Sequence, residues 1–80
     1  MSAQITDKVR QAVADVFGVE LSGITPDSSP QTVEAWDSMG HLNLVLALEQ
    51  AFGVQFSPEE IAAMTSVRLA AQTLAAKGAS

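Results

Sequence analysis

Residues 38–52 read Ser-Met-Gly-His-Leu-Asn-Leu-Val-Leu-Ala-Leu-Glu-Gln-Ala-Phe, and Gly53 follows. Read as a helix that Gly53 ends, this stretch is apolar nearly all round, through Leu42, Leu44, Val45, Leu46, Ala47, Leu48, Ala51 and Phe52. Such a helix has to be enclosed on more than one side, or it must offer an apolar strip to something outside the domain. The whole chain is 80 residues with no cysteine, so neither a disulfide framework nor a thiolate metal site can reinforce it. Apolar burial alone must hold the fold, and a domain of this size retains only about 3–5 kcal/mol of net stability.

The remaining sequence supplies helices to do the enclosing. Ile5, Val9, Ala12, Val13, Val16 and Phe17 recur at spacings of three and four, predicting a first helix over about Ala3–Phe17 with Gly18 as its stop. Residues 18–37 lack sustained periodicity and carry Gly18, Gly23, Pro26, Ser28, Ser29 and Pro30. A connection of that length inside a small domain is usually functional. It is expected to be pinned to the core by Val19, Leu21, Ile24 and Val33, with a short helical turn near 19–23. Further on, Ser57-Pro58-Glu59-Glu60 is a helix-start signal: Ser as cap, Pro in the first turn, Glu closing a capping box. A short helix over about Pro58–Met64 follows, then a last one over about Val67–Ala76 with Val67, Ala70, Ala71 and Leu74 inward. The fold class expected is all-α, a four-helix bundle with a long first loop and a short third helix, residues 1–80 forming one domain. Within it, Leu46 and Phe52 are expected on the buried side of the second helix, together with Phe17 and Ile61.

Nine acidic against four basic residues give a net charge of −5, which speaks against a nucleic-acid partner, since phosphate binding needs clustered Lys and Arg. It suits partners with basic surfaces. No apolar run approaches the roughly 20 residues of a membrane span, and the start of the sequence lacks a basic region followed by an apolar one. A soluble, cytoplasmic monomer is expected. Asp27, Glu34 and Asp37 lack the regular spacing of a calcium loop, and no metal site is expected.

At the mouth of the apolar helix stands Trp36-Asp37-Ser38-Met39-Gly40-His41-Leu42. Asp37 or Ser38 can cap the helix, and a carboxylate there suits the positive end of the helix dipole. A serine followed three residues later by the only histidine invites a Ser–His nucleophile, but no third group is available to orient the base, so catalysis is not expected. The placement of Asp37-Ser38 after a long loop, at the head of the second of four helices, resembles the acyl carrier protein family. There an Asp-Ser-Leu motif bears 4′-phosphopantetheine on its serine. Met39 stands here for the usual Leu. Leu44-Val45-Leu46-Ala47-Leu48-Glu49 and Phe52-Gly53-Val54-Gln55-Phe56 are also similar to the family's second helix and its exit.

The resemblance implies a carrier without catalysis of its own. Ser38 would be the attachment site, with Asp37 part of the motif that a phosphopantetheinyl transferase reads when it moves the group from coenzyme A. An acyl- or aminoacyl-loading ligase and downstream acyl-processing enzymes would be the further partners. Trp36, Met39, His41, Leu42 and Glu49 are the expected partner contacts. One departure matters: between Met39 and Phe52 only Glu49 is acidic, whereas relatives serving fatty acid synthesis commonly carry several carboxylates there. That pattern is closer to carriers of specialised pathways, with fatty-acid or lipid biosynthesis the other role the resemblance implies. The competing reading is an unmodified helical interaction module that docks through the apolar second helix.

Overall fold

The computed structural model describes residues 3–78. Four helices follow one another: α1 (Ala3–Phe17), α2 (Ser38–Phe52), α3 (Pro58–Ala63) and α4 (Val67–Ala76), with a 3₁₀ turn at Leu21–Gly23 inside the first connection. Among the described residues there is no strand, and no helix is long and apolar enough to cross a membrane. The all-helical architecture agrees with the expected bundle, and the helix bounds agree to within a residue.

Local chemistry sets those bounds. Gly18 and Gly53 take left-handed backbone conformations (φ 67° and 66°), which a glycine reaches without a Cβ penalty. At the end of α2 the Gly53 N–H donates to the Glu49 carbonyl at 2.8 Å. The start of α3 is a closed capping box: the Glu60 N–H donates to Ser57 Oγ at 3.2 Å, and the Ser57 N–H donates to Glu60 Oε1 at 2.8 Å. Ser66 caps α4 by accepting the Leu69 N–H at 3.1 Å.

The core gathers Ile5, Val9, Val13 and Ala14 from α1, Leu44, Val45 and Leu48 from α2, and Val67, Ala70, Ala71 and Leu74 from α4. Helix α1 packs most extensively on α4 and α2. Phe17, Phe52 and Ile61 pack partly buried against this core. The expectation for Leu46 is overturned: it is 56% exposed. Helix α2 turns Leu44, Val45 and Leu48 inward, and Leu46 lies on the opposite side, because two residues along a helix is about half a turn.

The long connection is anchored differently from expectation. Ile24, Val33 and Trp36 are buried, whereas Val19 and Leu21 are exposed. Polar ties do the rest. Arg10 Nε donates to the Ile24 carbonyl at 2.7 Å, and the buried Ser28 accepts the Thr25 N–H on its hydroxyl at 2.9 Å. The first amides of α4 reach back to the same loop: Val67 N–H donates to Ser28 O at 3.0 Å and Arg68 N–H to Pro26 O at 2.9 Å. Arg68 also pairs with Asp27. These bonds satisfy helix-start donors that would otherwise lack partners, and they fix the loop that delivers the chain to Asp37.

Candidate functional site: a capped serine beside a groove

Asp37 is the N-cap of α2, with extended backbone (φ −95°, ψ −169°), and its Oδ1 accepts the Gly40 N–H at 2.8 Å. Of the two residues able to cap this helix, the carboxylate takes the task and leaves Ser38 as the first helical residue, exposed. That division matters chemically. A hydroxyl engaged as a cap would be turned to the backbone, whereas Ser38 Oγ is open to an enzyme.

Gly40 makes the approach possible. A Cβ built at this position would stand 2.4 Å from the Ala35 carbonyl oxygen and 2.8 Å from Phe17 Cε1. The start of α2 therefore lies directly against the loop backbone and the end of α1, at a distance no other residue permits. Sequence reading missed this role, although a glycine inside a helix's first turn was a signal for it, since it costs about 1 kcal/mol against alanine without a packing reason.

Trp36, expected at a partner surface, is 1% exposed. Its indole packs on Phe17 with ring centroids 5.7 Å apart and lies nearly parallel to the His41 ring at 6.2 Å. The reason is that its polar edge is satisfied inside: Trp36 Nε1–H donates to His41 Nδ1 at 2.9 Å. Because the indole nitrogen is only a donor, Nδ1 must accept, and the imidazole proton sits on Nε2, 2.7 Å from the Ile61 carbonyl. His41 is thus half-buried, with both ring nitrogens committed, and it bridges the loop, α2 and α3.

Glu49 Oε2 accepts the Phe56 N–H at 2.9 Å, so the one carboxylate of α2, half-buried, also braces the α2–α3 connection. Met39 and Leu42 do stand at the surface, 73% and 54% exposed. With Leu46 they form a stripe at spacings of three and four along the helix Ser38 begins.

Beside Ser38 opens a groove of about 380 Å³, lined by Pro30, Trp36, Asp37, His41, Ala62 and Thr65. It lies between the head of α2 and the end of α3. A larger cleft of about 680 Å³ sits in the first connection, around Val19, Ile24, Val33 and Glu34, and includes no residue of α2. Its size does not make it the site. Among the described residues no group of three His, Asp or Glu side chains gathers to hold a metal ion.

Comparison with known proteins agrees with the geometry. Residues 7–74 match the family described as "Phosphopantetheine attachment site". The chain is 34% identical over 64 residues to the acyl carrier protein of Rubrobacter xylanophilus, an alignment covering 80% of this chain and 79% of that one. The prosthetic group of that family, 4′-phosphopantetheine, fits an exposed hydroxyl at a capped helix start with a groove alongside. A family match over most of the chain and a relative aligned over four-fifths of it both fit this helical bundle: the chain belongs to the acyl carrier protein family.

Proposed function

We propose that Ser38 carries 4′-phosphopantetheine and that the domain, a monomer in the cytoplasm, delivers an acyl or aminoacyl group between enzymes of a specialised pathway. The observation that carries this reading is the division of labour at the head of α2. Asp37 caps the helix through Gly40, and the neighbouring Ser38 hydroxyl stays exposed. When attached, the group supplies a terminal thiol on which cargo is held as a thioester.

The chain's own residues provide presentation. Asp37 and Gly40 fix the direction of the first turn of α2, so the Ser38 hydroxyl has one bearing relative to the bundle. His41, three residues on, has both ring nitrogens engaged and is not free to take its proton. The base for modification therefore belongs to the phosphopantetheinyl transferase, and so does the coenzyme A that donates the group. The apolar stripe of Met39, Leu42 and Leu46 flanks the serine and supports docking by packing. Glu49 is the single carboxylate of α2 and one of its oxygens is engaged by the Phe56 N–H, so this helix offers little charge beside the acidic second helices that basic fatty-acid-synthesis enzymes read. Loading ligase and processing enzymes are accordingly expected to present apolar docking surfaces.

Intact-mass measurement after incubation with coenzyme A and a broad-range transferase tests the reading. One phosphopantetheine mass should be gained, and Ser38→Ala should gain none while its helical circular dichroism is retained. No gain by the unaltered chain with several active transferases would leave an unmodified interaction module as the better account.

A further inference from the structure

Helix α3 is the least embedded of the bundle. None of its residues is fully buried; Ile61 packs partly buried against the core, and the polar ties are few. Glu60 pairs with Lys77 beyond α4 at 2.9 Å, and Met64, just after the helix, is buried in the core. Toward α2, the tie is His41, whose Nε2–H donates to the Ile61 carbonyl at 2.7 Å. The same ring accepts the Trp36 indole N–H at 2.9 Å, so it cannot swing aside without also stranding a buried donor. The groove beside Ser38 opens between these helices, with His41 on one side and Ala62 on the other.

We propose that His41 is a latch that selects cargo: by holding α3 to α2 it keeps the group borne on Ser38 a short one, riding in the open groove, and bars longer acyl chains from threading between the helices. This rests on the carrier reading of Ser38. A chain entering at that point must spread α2 from α3 and break the Ile61 bond, leaving a carbonyl and an imidazole without partners. Burial of roughly four methylenes is needed merely to offset that loss, so chains of up to about six carbons gain nothing by opening the latch. Trp36, which donates to His41, and Met64, which follows α3, are both fully buried, so the latch joins two segments seated in the core. The surface of the groove is mostly apolar, with Asp37 and Thr65 among its few polar residues, which suits a short acyl chain lying along it.

Two substitutions separate the two bonds of the ring. In His41→Asn the side-chain oxygen replaces Nδ1 as acceptor for Trp36 but nothing reaches Ile61. In His41→Gln the amide nitrogen replaces Nε2 as donor to Ile61. The native chain and both variants are loaded from acetyl-, butyryl- and hexanoyl-coenzyme A with a broad-range transferase, loading is verified by intact mass, and Tm is measured. Native and Gln carriers should melt at a temperature independent of chain length, whereas the Asn carrier should gain Tm from acetyl to hexanoyl. A length-dependent gain in the native carrier, or parallel profiles for native and Asn, overturns the latch. On unloaded protein, hydrogen exchange at Ile61–Met64 should be about 5–30 times faster in the Asn variant, with α1 amides unchanged and the Gln variant restored. Equal exchange in native and Asn proteins overturns it as well. Absence of any mass gain instead refutes the Ser38 reading, and the exchange measurement still judges the latch.

Discussion

Gly40 and Ala35 are in contact through backbone alone: a methyl group on Gly40 would lie 2.4 Å from the Ala35 carbonyl oxygen, with Phe17 Cε1 at 2.8 Å behind it. Neither neighbour can step aside cheaply, because one is backbone and the other is a ring packed on Trp36. The head of α2, and with it Ser38, is positioned by this approach.

Gly40→Ala should therefore destabilise the domain. The gain in helix propensity is about 1 kcal/mol, while overpacking against rigid neighbours costs about 1–3 kcal/mol. Urea unfolding followed by circular dichroism should show a lower midpoint. A higher midpoint would mean that the start of α2 is free to shift.

Leu46 and Leu48 provide a paired test of which face of α2 is inside. Leu48→Ala should cost about 2–5 kcal/mol, most of what a domain this size holds. Leu46→Ala, on the exposed side, should change stability by no more than about 0.5 kcal/mol. Thermal melts of the two variants side by side decide it, and similar losses would contradict the packing described.

Glu60 gives the acid side of the stability profile its sign. The Ser57 N–H and then the Lys77 ammonium hold its carboxyl below the ordinary value of 4.5. The unfolded chain thus binds this proton first as pH falls, so the stabilisation is complete above about pH 4.5 and is lost as pH drops through the folded-state value. Glu60→Gln should flatten that part of the curve and leave the profile above it parallel to the native one. Denaturant midpoints across an acid series measure it, and an unchanged acid limb in the variant would contradict it.

Docking should depend on packing rather than charge. Met39→Ala and Leu42→Ala should each weaken loading by the cognate ligase, by about 1–2 kcal/mol. Glu49→Gln should be mild, since the amide oxygen can still accept the Phe56 N–H. Raising salt shortens the screening length from about 10 Å at 0.1 M to about 3 Å at 1 M and should alter loading little. A steep salt dependence, with Glu49→Gln as the damaging change, would point to charge steering. Trp36→Ala is no probe of docking, because removing a buried tryptophan costs about 3–5 kcal/mol in stability.

Helix ends were legible because they rest on short-range chemistry. Ser57, Pro58 and Glu60 announce α3, and Gly18 and Gly53 close α1 and α2, each within a few residues of the backbone it governs. The inward face of α2 was not legible. A helix with leucines or valine at 42, 44, 45, 46 and 48 has no polar side to mark the outside, so only α1 and α4 decide that Leu44, Val45 and Leu48 face the core. Asp37-Ser38 was readable as a cap and a candidate site. The fates of Trp36, His41 and Glu49 depended on partners five to twenty residues away, Ile61 and Phe56 among them, which no local pattern displays.

The bonds from the first amides of α4 to Ser28 and Pro26 have a consequence for synthesis. The connection that orients Ser38 receives its last restraints from α4, some thirty residues further along the chain. A nascent polypeptide that has exposed the serine but not yet Val67 and Arg68 holds an unbraced loop, and the serine has no settled bearing. On the carrier reading, the domain should become a good transferase substrate only once Val67 and Arg68 are in place. Chains truncated after Thr65, or stalled there on ribosomes, should be modified far more slowly than the complete one.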